Sequence, residues 1–259
     1  MSSSVLQVQQ VSFRYGGKEI FRDLSLAIQE REFVSIVGPS GSGKTTLFRL
    51  LLGLEKPETG GLFLGEKQVI GAGGGIAYVP QKDLLIPWRS ILDNVILPLE
   101  ISGLTKREAY ANARPHFASF GLAGTESAYP HMLSGGMKQR VSFLRAYLTG
   151  SDVLLLDEPF SALDAISRVE MQDWLLEQWV SLKKTIILIT HDLDEALLLS
   201  DRILVTSSPP MEQLAEILVP LSRPRTMDMK LGDKSLLSLK SELLQKFRHE
   251  GAKCDAEET

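Results

Sequence analysis

The nine residues GPSGSGKTT, Gly38 to Thr46, constrain this chain more than any other stretch. Before them runs EFVSIV, a continuous apolar segment of the kind that forms a central strand buried on both faces. After them TTLFRLLLGL carries leucines at helical spacing, with Gly53 and Pro57 as stop signals. Strand, glycine loop and helix in that order fit the pattern G-x-x-x-x-G-K-[ST], whose loop wraps a phosphate chain. Its glycines let successive backbone N–H groups converge on phosphate oxygens, and the helix start adds a partial positive charge. Gly38, Pro39, Ser40, Gly41, Ser42 and Gly43 are therefore expected to form the cradle, with Lys44 bridging the β- and γ-phosphates. The Thr45 hydroxyl is expected to ligate Mg²⁺, and Thr46 to give one more phosphate contact.

Around the loop the pattern is α/β. VLQVQQVSFRY and LSLAI alternate apolar and polar residues as half-buried strands do, and GGLFLGEKQVI reads as a hairpin-like return, which together predict an N-terminal antiparallel β subdomain. GIAYVPQ reads as a strand after the glycine cluster 71–75. Between Leu84 and Tyr147 helical spacing takes over in SILDNVILPLE, TKREAYANARPHFASFG and SGGMKQRVSFLRAYL, and we read an inserted helical subdomain there. From Val153 the chain alternates again: VLLLDEP, a helix over Ala165 to Leu182, TIILIT, a helix from Asp192 to Leu199, then RILVTSS. Such alternation builds a mainly parallel core sheet with ligands at the carboxyl ends of its strands. The segment 221–259 reads as a short charged extension whose LLSLKSELLQKF has one amphipathic helix pattern.

Composition narrows the classes that remain. With 44% apolar residues in 259, the chain can bury the core of one large or two small domains. Its apolar runs are strand-length, far short of the ~20 residues that a spanning helix needs. No basic segment followed by an apolar stretch opens the sequence, and a lone cysteine, Cys254, cannot form an internal disulfide, so a cytoplasmic chain is expected. A formal net charge of −4 with interspersed signs argues against a broad nucleic-acid surface.

Several side chains join the loop as candidates. Asp157 ends the apolar strand VLLLD, where a carboxylate can hold a phosphate-bound metal, and Glu158 points a different way and can orient or deprotonate water. His191 follows TIILIT and shares that sheet edge if the two strands are parallel neighbours, within reach of a γ-phosphate or an attacking water. Gln81, at the end of GIAYVPQ, is either a ligand of Mg²⁺ or its water, or a surface residue at a loop start. Tyr15 closes a strand and either packs on the core or offers a flat ring to adenine. A second glycine turn, LSGGMKQR, sets Ser134, Gly135 and Gly136 at the start of a predicted helix, where they too can present N–H groups to an anion.

Tyr15, GPSGSGKTT, Gln81, LSGGMKQR, LLLDEPFSALD and THD occur in the order found in the ATP-binding subunits of ABC transporters, which the chain resembles from about Val5 to Pro220. The resemblance implies a P-loop NTPase fold with residues 1–220 as the ATPase domain and about 84–147 as its helical subdomain. It implies ATP and Mg²⁺ as ligands, Tyr15 stacking on adenine, Gln81 coupling the metal site to a membrane partner, and Glu158 as catalytic carboxylate. His191 is then the switch histidine on the γ-phosphate, Ser161 to Asp164 the loop that communicates between subunits, and Ser134 to Gly136 a clamp on a γ-phosphate held by another subunit. Implied partners are a second ATPase subunit, a separate transmembrane permease at the cytoplasmic face of the cell membrane and, indirectly, a solute-binding protein, with no nucleic acid. PQKDLLIPWRSILDNVILPLE, with Trp88 and Asn94, resembles the importer branch for nitrate, sulfonates, taurine and thiamine precursors. Met137 departs from the family pattern, where many members have glutamine. The apolar stretch Leu84 to Leu99 is expected either to dock on the permease or to form subdomain core. A soluble ABC ATPase of DNA repair or the ribosome, and a small-molecule kinase, are the rival readings; single-cassette length counts against the first, and LSGG and His191 have no task in the second.

Overall fold

A long hairpin of β1 (Ser4–Tyr15) and β2 (Lys18–Gln29) leads into β3 (Phe33–Val37), which runs through the phosphate loop into α1 (Lys44–Leu51). This is a computed structural model that describes residues 4–71, 75–221, 223, 225 and 238–244. β4 (Thr59–Leu64) and β5 (Lys67–Gln68) return to β1, giving a four-stranded antiparallel sheet in the order β2-β1-β4-β5. Alternation in β1 buries Leu6 and Val8, then slips at an irregularity before Val11 and Phe13, where Gln10 has a φ of 47°. A slip of that kind restores the apolar face after a residue out of phase.

The second sheet begins with β6 (Ile76–Val79). Four helices follow: α2 (Ile91–Val95), α3 (Leu97–Ile101), α4 (Lys106–Ala113) and α5 (Gly135–Tyr147). Then come β7 (Val153–Asp157), α6 (Ala165–Leu182), β8 (Thr185–Ile189), α7 (Leu193–Leu199), β9 (Arg202–Val205) and β10 (Ala215–Leu218). Six strands lie in the order β10-β9-β3-β8-β7-β6, all parallel except β10, which runs antiparallel at the edge.

The continuous apolar strands are explained by burial on both faces. Leu154, Leu156, Ile186 and Leu188 pack into one core with Ile91, Val95, Leu144 and Trp174 from the helices and Phe117 and Phe120 from the turn that follows α4. Val153, Leu155, Ile187 and Ile189 pack on the other side with α1 and the antiparallel sheet. Helical subdomain and parallel sheet thus share a core.

Two expectations needed correction in detail. SILDNVILPLE forms two short helices, with Pro98 in the first turn of α3, and the segment after Thr105 leaves α-geometry at Ala113, before a 3₁₀ turn containing Pro115. Proline lacks the N–H that a continuous helix would use. β10 had no counterpart in the sequence reading: four residues with one buried face give little periodicity, and pairing with β9 makes the strand. In the extension, residues 238–244 are helical, with Leu243 buried in a cluster with Ala196 and Leu197, and with Lys240 Nζ 2.8 Å from Asp194. The ends of LLSLKSELLQKF, residues 72–74 of the glycine cluster, and Cys254 lie outside the described residues. Among the described residues no helix is long and apolar enough to cross a membrane.

Candidate nucleotide-binding site

Strand order gathers the candidates. β3 ends in the phosphate loop, β8 beside it ends before His191, β7 ends in Asp157 and Glu158, and β6 ends two residues before Gln81. Because these four strands are parallel, all their carboxyl ends open on one edge.

The loop itself is held tightly. A Cβ on Gly38 would lie 1.7 Å from Thr206 Oγ1, just past β9, so only glycine permits that approach. Gly43, the N-cap of α1, has a φ of 96°, and a Cβ there would stand 2.8 Å from Ile20 Cγ2 in the hairpin. Thr206 also donates to Ser42 Oγ at 2.8 Å in a buried contact. Lys44 Nζ donates to the carbonyls of Gly38 at 2.9 Å and Pro39 at 2.7 Å. Burial pushes this ammonium's pKa down, while Glu158 and Asp157 pull it up. Pro39, Ser40, Gly41 and Thr45 are exposed along the mouth of the loop, and Thr46 is half-buried.

At the acidic end Asp157 Oδ2 accepts a hydrogen bond from the Tyr78 hydroxyl at 3.0 Å. Burial raises the Asp157 pKa, opposed by that bond, with Glu158 adding to the rise and Lys44 countering it. Tyr78 is itself held neutral by burial and by the same carboxylate. Glu158 turns away: its φ is 44°, a left-handed conformation disfavoured by about 1–3 kcal/mol for a side chain of this kind, and its N–H bonds the Ile189 carbonyl at 2.9 Å. Its Oε2 then receives Gln81 Nε2 at 3.2 Å and lies 3.3 Å from His191 Nδ1. Gln81 also reaches Ser161 Oγ at 3.2 Å. Side chains following β6 and β8 thus meet on one carboxylate oxygen of the residue following β7.

The remaining candidates stand apart from that cluster. Tyr15 is 58% exposed at the hairpin tip, 6.4 Å from the Phe13 ring, so its core-packing alternative does not hold. Ser134 caps α5 by accepting from Met137 N, and both Ser134 and Gly135 are exposed. Met137 packs against the helical core. Trp88 is 78% exposed, on a turn fixed by the fully buried Asn94, which accepts from Ile86 N and donates to the carbonyls of Ile86, Arg89 and Ser90. The stretch 84–99 is divided accordingly: Leu84 and Trp88 face outward, and Ile91, Leu92, Val95 and Ile96 are core.

Sequence reasoning missed Tyr78, Thr206 and a buried carboxylate, Glu195, which accepts from Thr190 Oγ1 at 2.6 Å and Gln172 Nε2 at 3.0 Å. Burial raises the pKa of Glu195. A polar-tipped aromatic near a strand end was the available signal for Tyr78; Thr206 carries none, because its partner Ser42 is distant in sequence, and Glu195 none, because nothing local marks its side chain as turned inward onto α6.

The residues present fit Mg²⁺. Asp157, with one oxygen held by a neutral donor, and the hydroxyl of Thr45 are hard oxygen donors. Among the described residues no group of three or more His, Cys, Asp or Glu could hold a metal.

A phosphate loop after a central parallel strand, facing a carboxylate pair across the same sheet edge, defines a P-loop nucleoside triphosphatase. Residues 21–161 match the family described as ABC transporter. Formylaminopyrimidine import ATP-binding protein ThiZ of Halalkalibacterium halodurans is 47% identical over 88% of this chain and 90% of its own length. Aliphatic sulfonates import ATP-binding protein SsuB 1 of Rhodococcus jostii is 41% identical over 92% of this chain and 91% of its own. Among solved structures, a dimeric post-hydrolysis state of an ATP-binding cassette bound to ADP and Pi superposes with a TM-score of 0.70 at 27% identity, covering 84% of this chain and 100% of that one. The chain belongs to the ABC transporter family, and within it to the ATP-binding subunits that hydrolyse ATP.

Proposed function

We propose that this chain powers an importer for a small solute of the nitrate, sulfonate, taurine or thiamine-precursor kind, through a separate membrane permease served by a solute-binding protein. The meeting of Gln81 and His191 on the Glu158 carboxylate, on the sheet edge that carries the phosphate loop, is the observation that carries the ATPase half. Identity to import ATP-binding proteins over most of the chain supports the solute class.

In this reading residues 38–46 hold the phosphates of ATP, Lys44 leaves its own loop carbonyls for the β- and γ-phosphates, and Tyr15 stacks on adenine. Thr45, Asp157 and Gln81 hold Mg²⁺, which when bound neutralises charge on the β- and γ-phosphates. Glu158 orients and deprotonates the attacking water, and His191 contacts the γ-phosphate. The turn Ser134 to Gly136, whose first two residues are exposed, completes the site of a second subunit, so two chains close head to tail around two ATP molecules, with Ser161 to Asp164 at their junction. Trp88 and Leu84 face the permease, and the subunit sits peripherally at the cytoplasmic face of the membrane. Closure and release then drive the permease.

Mixing subunits tests the arrangement. Lys44→Ala homodimers are expected to lose turnover and Ser134→Ala homodimers most of it, while a mixture of the two exceeds the average of the separate variants, because one composite site per mixed dimer keeps both wild-type halves. No recovery on mixing, with dimers demonstrated by sedimentation, rejects the head-to-tail reading.

A further inference from the structure

Two neighbouring acids in α7 behave in opposite ways. Asp194 pairs outward with Lys240, whereas Glu195 turns inward and is 4% exposed. Burying a carboxylate opposes folding unless its oxygens are paired. Here both are, and the partners define what it controls. Oε2 accepts from Thr190 Oγ1 at 2.6 Å, and that hydroxyl in turn accepts from the Asp192 N–H at 3.0 Å. Asp192 Oδ1 accepts from the N–H groups of Asp194 and Glu195 at 2.8 and 3.2 Å, closing a ring of bonds around the turn 190–192. His191 is the residue between the two anchored ones, with its own side chain directed to Glu158.

The other oxygen leads elsewhere. Oε1 accepts from Gln172 Nε2 at 3.0 Å, on α6. One helical turn earlier, Arg168 lines the same cleft as Glu158, His191 and Glu195, and its charge favours the ionised Glu195. Arg168 also donates to the Leu163 carbonyl at 3.3 Å, while its Nε is buried without a hydrogen-bond partner. α6 starts at the Asp164 cap, directly after Ser161 to Leu163. Hydrogen bonds therefore join the turn carrying His191 to α6, and Arg168, in the same cleft, holds the loop before α6 with its Nε left unused.

We propose that Glu195 is a positioning residue: through Thr190 it fixes the turn that aims His191, and through Gln172 it ties that turn to α6, whose Arg168 holds the loop before it. This rests on the assignment of His191 to the γ-phosphate. A shift of the 161–164 loop against a second subunit is then felt at His191 through side chains rather than through the sheet. Glu195 itself touches no nucleotide.

Steady-state turnover and binding of a fluorescent ATP analogue, measured with Mg²⁺ on the full chain, test this in Glu195→Ala, Glu195→Gln, His191→Ala and the Glu195→Ala/His191→Ala double variant. Glu195→Ala is expected to lower kcat about 10- to 100-fold, the scale for a misplaced group, with analogue affinity within about twofold. Glu195→Gln recovers part of that loss, since its amide oxygen still accepts from Thr190. In the double variant the loss stays within about twofold of His191→Ala alone. Fully multiplicative losses, or equal losses in affinity and kcat, overturn the proposal. If His191→Ala abolishes turnover while Glu195→Ala leaves it at the parental level, this inference alone fails; parental turnover in His191→Ala overturns the histidine assignment and this inference with it. Should Glu195→Ala not fold, Thr190→Val removes the same hydroxyl link at nearly constant volume and is read by the same criteria.

Discussion

The two glycine turns, 38–46 and 134–136, use one kind of anion chemistry in opposite settings. The first is walled in: Gly38 lies against Thr206, Gly43 against Ile20 and Phe21, and Lys44 is folded onto the loop's own carbonyls. The second stands at the exposed start of α5, and a Cβ on Gly136 would meet nothing within 4 Å. An exposed helix terminus favours an anion by only about 0.3–1 kcal/mol. Such a turn cannot retain a nucleotide alone, but it can add to one already held by another surface. The enclosed loop suits binding, and the open turn suits assembly.

Five experiments break or sharpen that contrast, from the largest effect to the smallest. Glu158→Gln should lower steady-state ATP turnover about 10²- to 10⁴-fold, the range for a removed general base, while filter binding shows ATP retained. Normal turnover would take Glu158 out of the chemistry and leave the enclosed half without a base. Lys44→Ala should weaken ATP binding by equilibrium titration about 10- to 100-fold, as loss of a charge-assisted bond of about 1.5–3 kcal/mol implies. Tyr78→Phe, which frees Asp157 Oδ2, should raise the Mg²⁺ concentration needed for half-maximal binding of MgATP about tenfold, the lower end for a residue behind a metal ligand; an unchanged requirement removes Tyr78 from that role. Ser134→Ala should cut turnover about five- to tenfold, equivalent to a hydroxyl contact of about 1 kcal/mol or slightly more, with binding at its own loop unchanged. Equal loss of both would erase the distinction between the two turns. The smallest effect is on stability: Gly38→Ala should destabilise the fold by about 1–3 kcal/mol in urea titrations, as overpacking does, whereas Gly136→Ala should stay within about 0.5 kcal/mol. Similar midpoints would show that the first turn is not enclosed as described.

Local pattern carried much of this organisation. The continuous runs at β3, β7 and β8 mark strands buried on both faces, and α6 spans Ala165 to Leu182 as its spacing predicts. Legibility failed where long-range contacts act. β10 exists because β9 offers it a ladder, and Glu195 and Thr206 acquire partners from distant segments. Asn94 was noticed as a motif residue, yet its work, satisfying the backbone of 86–90 so that Trp88 projects outward, is visible only in three dimensions.

By itself the sequence determined the chemistry at each strand end: a glycine cradle with Lys44 and Thr45, two adjacent acids, a histidine, a glutamine and a second glycine turn. These are local matters, set by residue type and by the strand-to-helix transitions that follow from periodicity. The tertiary structure decided which of those ends are neighbours. Only the order β3-β8-β7-β6 brings Gln81 and His191 onto Glu158 and sets Tyr78 against Asp157, while leaving Ser134 and Gly135 on open surface. Sheet order is fixed by packing between segments far apart along the chain, so no local pattern encodes it.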